Sequence, residues 1–439
     1  MRIALLAAGT RGDYQPILAV GRGLAARGHE VGVTATSDYV EDVRAAGLRP
    51  EPIPGDVMNT YREEIVDQMP AGLHGQMELM AQVAGLMAPS VALTMRDLWP
   101  RYDGFVSTAL SATWAGLFGA EPRPNVLMMF VPALPTIWGD SSLYSVEEGR
   151  SLRNLTSGLR MMRSASKVVS PAEAEMLHCG LTRRDRRRAL RQIMLAPAFV
   201  ANTPLVITPR RISGRDVRCA GYPFLDSPAG TALAPQVEEF LAAGPPPIYV
   251  GLGSHTLPAV RDAMRHCVDA AVQLGHRVIV MRGSGLEREG RYGDDVAFIG
   301  DAPHELLFPR TAAIIHHCGA GTIAQALRAG RPQVGVPFIT DQPFFARRVQ
   351  EIGVAGAPVP SREAGGPQGV AVLLDSIRQA LSPQVVARAE TVGHAMRAED
   401  GVGGCVAEIE RALSSSAARP TSASSFSASS ISARRRPDA

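Results

Sequence analysis

The sequence predicts an α/β protein of two doubly wound, Rossmann-like lobes, each a parallel sheet wrapped by helices, facing one another across a cleft. Three observations predict it. Strand and helix patterns alternate from the first residues, a turn-rich passage without period interrupts them at residues 219–236, and a second alternation of the same kind follows. The 439 residues, 46% of them apolar, are enough for two domains of roughly 200 residues, each with its own core.

The elements follow in order. "RIALLAA" reads as a buried strand, "GTRGD" as a turn, and the stretch from Tyr14 as an amphipathic helix stopped by Gly28. "HEVGVTAT" is a second strand, "SDYVEDVRAAG" a helix opened by Ser37 or Asp38, and "LRPEPIP" a short strand; "DGFVSTA" and "NVLMMFV" supply two more. In the second half, "PPIYVGLGS", "HRVIVMRG", "VAFIG", "TAAIIHH", "RPQVGVPF" and "VAGAPV" read as strands, with helices over 258–275 and from Asp341 to Glu351. The boundaries are therefore 1–218 for the N-terminal lobe, 219–236 for the linker and 237–413 for the C-terminal lobe. The Ser- and Ala-rich residues 414–439 read as a disordered tail.

Composition narrows the function. The net charge is +3, and Arg419, Arg434, Arg435 and Arg436 against Asp438 account for all of it. The folded body is neutral, which gives nucleic-acid binding no electrostatic support. No run approaches the roughly 18 apolar residues of a membrane span, and the N-terminus lacks a cleavable leader pattern, so the expectation is a soluble, cytoplasmic chain. Five widely spaced cysteines, without a C-x-x-C pair, argue against a disulfide framework or zinc knuckle. The Met-rich stretch with Met58, Met69, Met77, Met80, Met87 and Met95 reads either as an adaptable wall for a bulky ligand or as core filler. The arginines of 181–191 read as a solvated helix face.

The chemistry concentrates in "HHCGAGTIAQALRAG", residues 316–330. A strand meets a small-residue turn, and a helix begins at about Thr322. That arrangement makes an anion site, because backbone N–H groups can approach a phosphate and the helix dipole places about half a positive charge there. Zinc is disfavoured, since adjacent strand histidines point to opposite faces and no further ligands stand at a suitable spacing. A reactive thiol at Cys318 lacks a resolving cysteine or base in sequence. A second turn, "GLGSHT" at 251–256, follows a strand of the same lobe and could hold a diphosphate from the other side. Neither turn is a Walker loop, and "LAAGTRGD" is not G-x-G-x-x-G.

These residues resemble the GT-B glycosyltransferases of the UDP-glycosyltransferase superfamily, family 1, in its bacterial natural-product and sterol-glucosyltransferase-like branch. The matching segments are "GTRGDYQP" at 9–16, "GLGS" at 251–254 and the block at 298–355 containing "HHCGAGT" and "DQP". The resemblance implies a nucleotide-sugar donor in the C-terminal lobe and a small-molecule acceptor in the N-terminal lobe. It implies that His317, with the backbone at Gly319, Gly321 and Thr322, holds the donor diphosphate, with Ser254 contacting it from the opposite loop. Asp341 and Gln342 would contact sugar hydroxyls, and Gln325 stands where some members carry a ribose-binding Glu. Asp13 matches the acidic residue that this branch places near the acceptor; the alternative reading is a cap for the helix at Tyr14. Cys318 replaces a Gly usual in the branch, and Asp301, Ala302, Pro303 and His304 fall where plant members carry a base-stacking Trp.

The resulting expectation is an inverting transferase without cofactor or metal, moving a hexose from a UDP- or TDP-sugar to a hydroxyl of an antibiotic, polyketide, macrolide, sterol or other aglycone. Two alternatives remain: a non-hydrolysing UDP-sugar epimerase on the same scaffold, and a catalytically silent auxiliary subunit of a glycosyltransferase.

Overall fold

The structure, a computed structural model, describes residues 1–54, 75–76, 90–91, 93–109, 111–112, 123–163, 191, 195–212, 215–253, 258–282, 286 and 292–417. The N-terminal sheet contains β1 (Arg2–Leu6), β2 (Glu30–Ala35), β3 (Arg49–Pro52), β4 (Gly104–Ser107), β5 (Asn125–Met129), β6 (Ala198–Val200), β7 (Arg210–Ile212) and β8 (Arg215–Cys219). Their order is β3-β2-β1-β4-β5-β6-β8-β7, parallel except where β7 runs against β8. The C-terminal sheet contains β9 (Ile248–Gly251), β10 (Val278–Met281), β11 (Val296–Ile299), β12 (Ala313–His316) and β13 (Gln333–Gly335), ordered β11-β10-β9-β12-β13 and wholly parallel. In each sheet the order reverses beside the first strand, between β1 and β4 and between β9 and β12. A crevice opens at such a point outside the carboxyl ends of the strands.

Helices wrap both sheets: α1 (Arg11–Ala26), α2 (Val40–Ala45), α3 (Pro235–Ala242), α4 (Pro258–Gln273), α5 (His304–Leu307), α6 (Ala320–Ala329), α7 (Gln342–Glu351), α8 (Ser361–Ala364), α9 (Gly369–Ala380), α10 (Pro383–Arg397) and α11 (Gly401–Ala417). The short strand expected at "VAGAPV" is reduced to a single parallel bridge between Gln333 and Ala355. The Gln333 N–H reaches the Val354 carbonyl, and the Gly356 N–H the Gln333 carbonyl, each at 3.0 Å. Met95 is buried with Leu98, Trp99 and Phe105; the other five methionines of that stretch, and all of 181–191 except Arg191, lie outside the described residues.

The lobes share more than a linker. Leu127, Met129, Val206 and Ile207 of the first pack with Ile323, Leu327, Phe344 and Phe345 of the second in one apolar cluster. The Arg348 Nε donates to the Val206 carbonyl at 2.8 Å, and the Thr203 hydroxyl to Glu399 Oε1 at 2.6 Å. The assignment of 237–413 to the C-terminal lobe requires a correction. After α10 the chain crosses back, and α11 lays Cys405, Val406, Ile409 and Leu413 against Ile3, Val20, Leu24 and Val126 of the first lobe. The physical reason is complementarity: Val402 and Val406 meet α1 at Gly23, where a β-carbon would come within 2.6 Å of Val402. The helix also runs to Ala417, beyond the Ser414 at which the tail was expected to begin; residues 418–439 lie outside the described residues.

Ile409 is fully buried, so Ile409→Ala should destabilise the protein by about 2–5 kcal/mol through lost transfer energy and the cavity left behind. A urea titration of far-UV circular dichroism reads this directly, and an unchanged midpoint would mean that α11 contributes no packing to the first lobe.

Candidate active site

The first half of the site is built by the turn after β1. Gly9 takes φ +117°, a conformation open to glycine, and the helix then starts at Arg11, three residues earlier than the apolar pattern indicates. Thr10 is the N-cap, which places Asp13 at the third helical position. The Thr10 N–H donates to Asp13 Oδ2 at 2.8 Å and the Asp13 N–H turns back to the Thr10 side chain, the reciprocal pattern of a capping box; the Thr10 hydroxyl also reaches Oδ2, at 3.4 Å. Asp13 is therefore not the cap of a helix beginning at Tyr14, although it does stabilise the helix start. Its second oxygen, Oδ1, receives no hydrogen bond from the described residues. Burial pushes the Asp13 carboxyl up to about 6; the Thr10 N–H opposes that, and the negative charge of Asp341 adds to it.

The second half is the turn after β12. His316 is fully buried, and the Cys318 N–H donates to its Nδ1 at 3.0 Å, so the ring proton sits on Nε2 and is given to Gln333 Oε1 at 2.9 Å. Burial drives this histidine down to about 3, and it is a neutral structural group. Cys318 takes φ +66°, which explains why the branch usually has Gly there: left-handed backbone costs a side-chain-bearing residue roughly 1–2 kcal/mol. Its thiol is fully buried and raised by that burial, so it is not a poised nucleophile. The thiol fits because residue 335 is Gly, whose β-carbon would stand 2.7 Å from Cys318 Sγ.

Helix α6 begins one residue later than this turn, with Gly319 as N-cap and Thr322 in its first turn. The N–H groups of Ala320, Gly321 and Thr322 have no acceptor within the helix and point out of its positive end. His317 lies over that end. Its Nε2 would be 2.6 Å from a β-carbon on Gly319, so only glycine lets the imidazole fold against the helix start. Gln325 stands one turn beyond Thr322 on the same face, and its Oε1 is buried without a hydrogen-bond partner among the described residues. A buried acceptor in that condition is costly unless a ligand hydroxyl meets it. The Ser254 predicted to act from the opposite loop lies outside the described residues.

The third element is the loop between β13 and α7. Thr340 has φ +50°, a genuine outlier for a β-branched residue. Two contacts hold it: its N–H donates to Gln76 Oε1, from the other lobe, and its hydroxyl to Asp341 Oδ1, both at 2.8 Å. Asp341 is half-buried, and burial raises its carboxyl while the Thr340 hydroxyl counteracts. Gln342, expected to contact a sugar, spends its carbonyl oxygen on the N–H groups of Phe338 and Ile339, at 2.8 and 3.1 Å. What it offers a ligand is its amide NH₂, a donor, beside the acceptor Asp341.

These three elements converge. Asp13 and Asp341 stand close enough for their charges to interact, and Arg11 Nη1 meets Asp301 Oδ2 at 3.4 Å across the cleft mouth. His304, in the segment lacking the Trp of plant members, stacks on Phe308 with ring centroids 4.2 Å apart; burial and Arg11 lower it to about 4, leaving it neutral. A cavity of about 560 Å³ opens beside Thr340 between the lobes, lined among others by Leu143, Tyr144, Met161, Phe344 and Arg347. Sequence reasoning missed this cavity, which forms where helical and loop residues of both lobes meet, and also Tyr222, whose hydroxyl stands against Gly321 and which belongs to aperiodic chain.

Two Rossmann-like lobes with switch points facing over a helix-dipole cradle define the GT-B architecture. Residues 265–399 match the family described as Erythromycin biosynthesis protein CIII-like, C-terminal domain, and residues 3–94 the Glycosyltransferase family 28 N-terminal domain. The chain is 32% identical over 439 residues to the O-mycaminosyltylonolide 6-deoxyallosyltransferase of Streptomyces fradiae, covering 93% of this chain and 97% of that one. It is 28% identical over 422 residues to the vancomycin aglycone glucosyltransferase of Amycolatopsis orientalis, covering 91% and 95%. Among solved structures, glycosyltransferase VinC in complex with DTDP superposes with a TM-score of 0.65 at 19% identity, over 94% of this chain and 100% of that one. The chain belongs to the family 1 GT-B glycosyltransferases and is a glycosyltransferase, which sets aside the epimerase and silent-subunit alternatives.

The contact between residues 318 and 335 is separable by a double-mutant cycle. Gly335→Ala should destabilise the protein, and in a Cys318→Gly background the same change should cost on the order of 1–3 kcal/mol less. Additive changes in the denaturant midpoint would show that thiol and glycine do not share that space.

Proposed function

We propose that the protein is an inverting, metal-independent hexosyltransferase that moves a sugar from a UDP- or TDP-sugar to a hydroxyl of a bulky, partly apolar small molecule, with Asp13 as general base. One observation carries this reading: a carboxyl group raised to about 6, with one oxygen unengaged, stands near Asp341 and near Tyr222, whose hydroxyl lies against the first turn of α6. Inversion requires that geometry, because the nucleophile and the departing diphosphate occupy opposite faces of the anomeric carbon. Asp13 takes the acceptor proton on one side, since a base with a pKa near the working pH combines availability with driving force. On the other side the charge developing on the diphosphate meets the N–H groups of α6 and His317. The Thr322 hydroxyl adds a donor, while Gln325 Oε1 awaits a ribose hydroxyl. Asp341 and the Gln342 amide present an acceptor and a donor to the hexose, and Ser254, outside the described residues, keeps the diphosphate contact that the family resemblance implies.

The named relatives support the substrate classes. One is a 6-deoxyallosyltransferase, another glucosylates the vancomycin aglycone, and a fold neighbour is complexed with DTDP. The cavity beside Thr340 adjoins the proposed sugar site and has the apolar walls that a large aglycone needs. No helix among the described residues is long and apolar enough to cross a membrane, and a cytoplasmic location remains part of the proposal.

The test is transfer itself, followed by intact mass over a panel of nucleotide sugars and hydroxylated aglycones. Asp13→Asn should lower turnover at least 10²-fold while nucleoside-diphosphate affinity stays nearly unchanged. Equal turnover by that variant would overturn the base. His317→Ala should weaken nucleoside-diphosphate binding about 10- to 100-fold by calorimetry, the value of one hydrogen bond to a charged group.

The pH dependence has a definite sign. The base works only when ionised, so kcat/KM should rise with pH through about 6 and level above it. Asp341→Asn removes a charge that raises the Asp13 pKa, and the inflection should move to lower pH. An inflection that stays in place in this variant would disconnect the two carboxylates. Chelation with EDTA should leave the rate unaltered; loss of activity restored by Mg²⁺ would refute metal independence.

A further inference from the structure

Tyr222 belongs to the aperiodic passage between the lobes, and neither the motif reading nor the base assignment uses it. Its ring is 94% buried by the 6% relative exposure, tilted against Phe224 at 4.9 Å between centroids. Its hydroxyl has no hydrogen-bond partner among the described residues, and its oxygen is not sealed from solvent although the residue is only 6% exposed. That oxygen would stand 3.0 Å from a β-carbon on Gly321, so it occupies the space directly outside the first turn of α6. Burial raises its pKa, and the nearby charge of Asp13 raises it further, so the hydroxyl keeps its proton. An unpartnered O–H donor thus converges on the same point as the unpaired N–H groups of Ala320, Gly321 and Thr322.

We propose that the Tyr222 hydroxyl donates a hydrogen bond to the donor's diphosphate and to the nucleoside diphosphate that departs. Tyr222 is then a catalytic residue supplied by the interdomain passage, which closes the cradle from the side facing Asp13. The inference rests on the proposed placement of the diphosphate at α6. The glycine at 321 acquires a reason: a β-carbon there would crowd the Tyr222 hydroxyl. No bond is made or broken at Tyr222, because its proton is shared and not transferred. The hydroxyl is worth most as negative charge builds on the leaving oxygen, where a donor already in place needs no reorganisation.

The test compares wild type with Tyr222→Phe, which keeps the ring, using calorimetry with TDP, UDP and the corresponding nucleosides. The expected result is a roughly 10- to 100-fold loss of nucleoside-diphosphate affinity, with nucleoside affinity and thermal midpoint unchanged. A fall in kcat at saturating donor should accompany it. Equal diphosphate affinity in both proteins overturns the assignment, and so does a kcat defect with unaltered diphosphate affinity, which would place the hydroxyl on the acceptor side. Parallel loss of diphosphate and nucleoside affinity also overturns it, since that marks a general disturbance of the cleft. Failure of wild type to bind either diphosphate would instead remove the donor reading beneath the proposal. Gly321→Ala provides an independent arm: it keeps every backbone donor and pushes only on the Tyr222 oxygen, and it should reproduce the diphosphate-specific loss.

Discussion

The packing between the lobes is the constraint on which the rest of the structure depends, because the proposed reaction needs a carboxylate on one lobe opposite the positive end of a helix on the other. Neither Asp13 nor α6 has the geometry of a reaction site alone. The cluster that joins Leu127 and Met129 to Phe344 and Phe345 fixes their separation, and α11 returns to the first lobe to close the chain on itself. At roughly 1.5–3 kcal/mol for each large apolar side chain buried, this shared core greatly outweighs the exposed Arg11–Asp301 pair at the cleft mouth. The pair therefore marks where the lobes approach and contributes little to holding them.

Two strained residues sit on the C-terminal side of this arrangement. Cys318 and Thr340 both adopt left-handed backbone, and each precedes a residue of the site: Gly319 at the head of α6, and Asp341 at the head of α7. Strain of about 1–3 kcal/mol at each persists only where the surroundings over-determine it. His316 does so for Cys318 by accepting its N–H, and Gln76 of the other lobe does so for Thr340. The neutral His316 is thus a positioning group, and its low pKa keeps it an acceptor across the working pH range.

Much of this was legible in the sequence, and the limits have physical causes. The alternation of apolar strands with helices marked the strands of the second sheet and β1 to β5 of the first but not β6 to β8, which are short and bounded by irregular chain, and the junction of "AAIIHH" with a small-residue turn located the head of α6. It also separated His316 from His317, because neighbouring strand residues face opposite ways. The first turn of α1 was hidden, since "RGD" carries no apolar residue to set a helical phase, and so Asp13 was placed too early in the helix. The role of Gln342 was half visible: its type suits a diol, but its carbonyl is taken by Phe338 and Ile339, a local bond that no pattern announces. An amphipathic helix does not name the sheet it covers, so the return of α11 could be learned only from packing. Tyr222 lay in chain without period, where sequence offers composition alone, and the cavity beside Thr340 forms only where segments distant in sequence meet.

The double duty of Asp13 follows from its position. At the third residue of a helix, a carboxylate interacts favourably with the dipole and accepts from its own cap, and both effects lower its pKa. Were they unopposed, the group would be too weak a base to take a hydroxyl proton. Burial at the cleft opposes them, as does a second carboxylate, Asp341, placed by the other lobe. The packing of the lobes thus has two effects: it sets Asp341 and Gln342 opposite the first lobe, and it raises the Asp13 pKa through the charge of Asp341. In the proposed reaction the strength of the base therefore depends in part on a residue of the opposite lobe. That coupling gives the interlobe core a chemical consequence beyond stability.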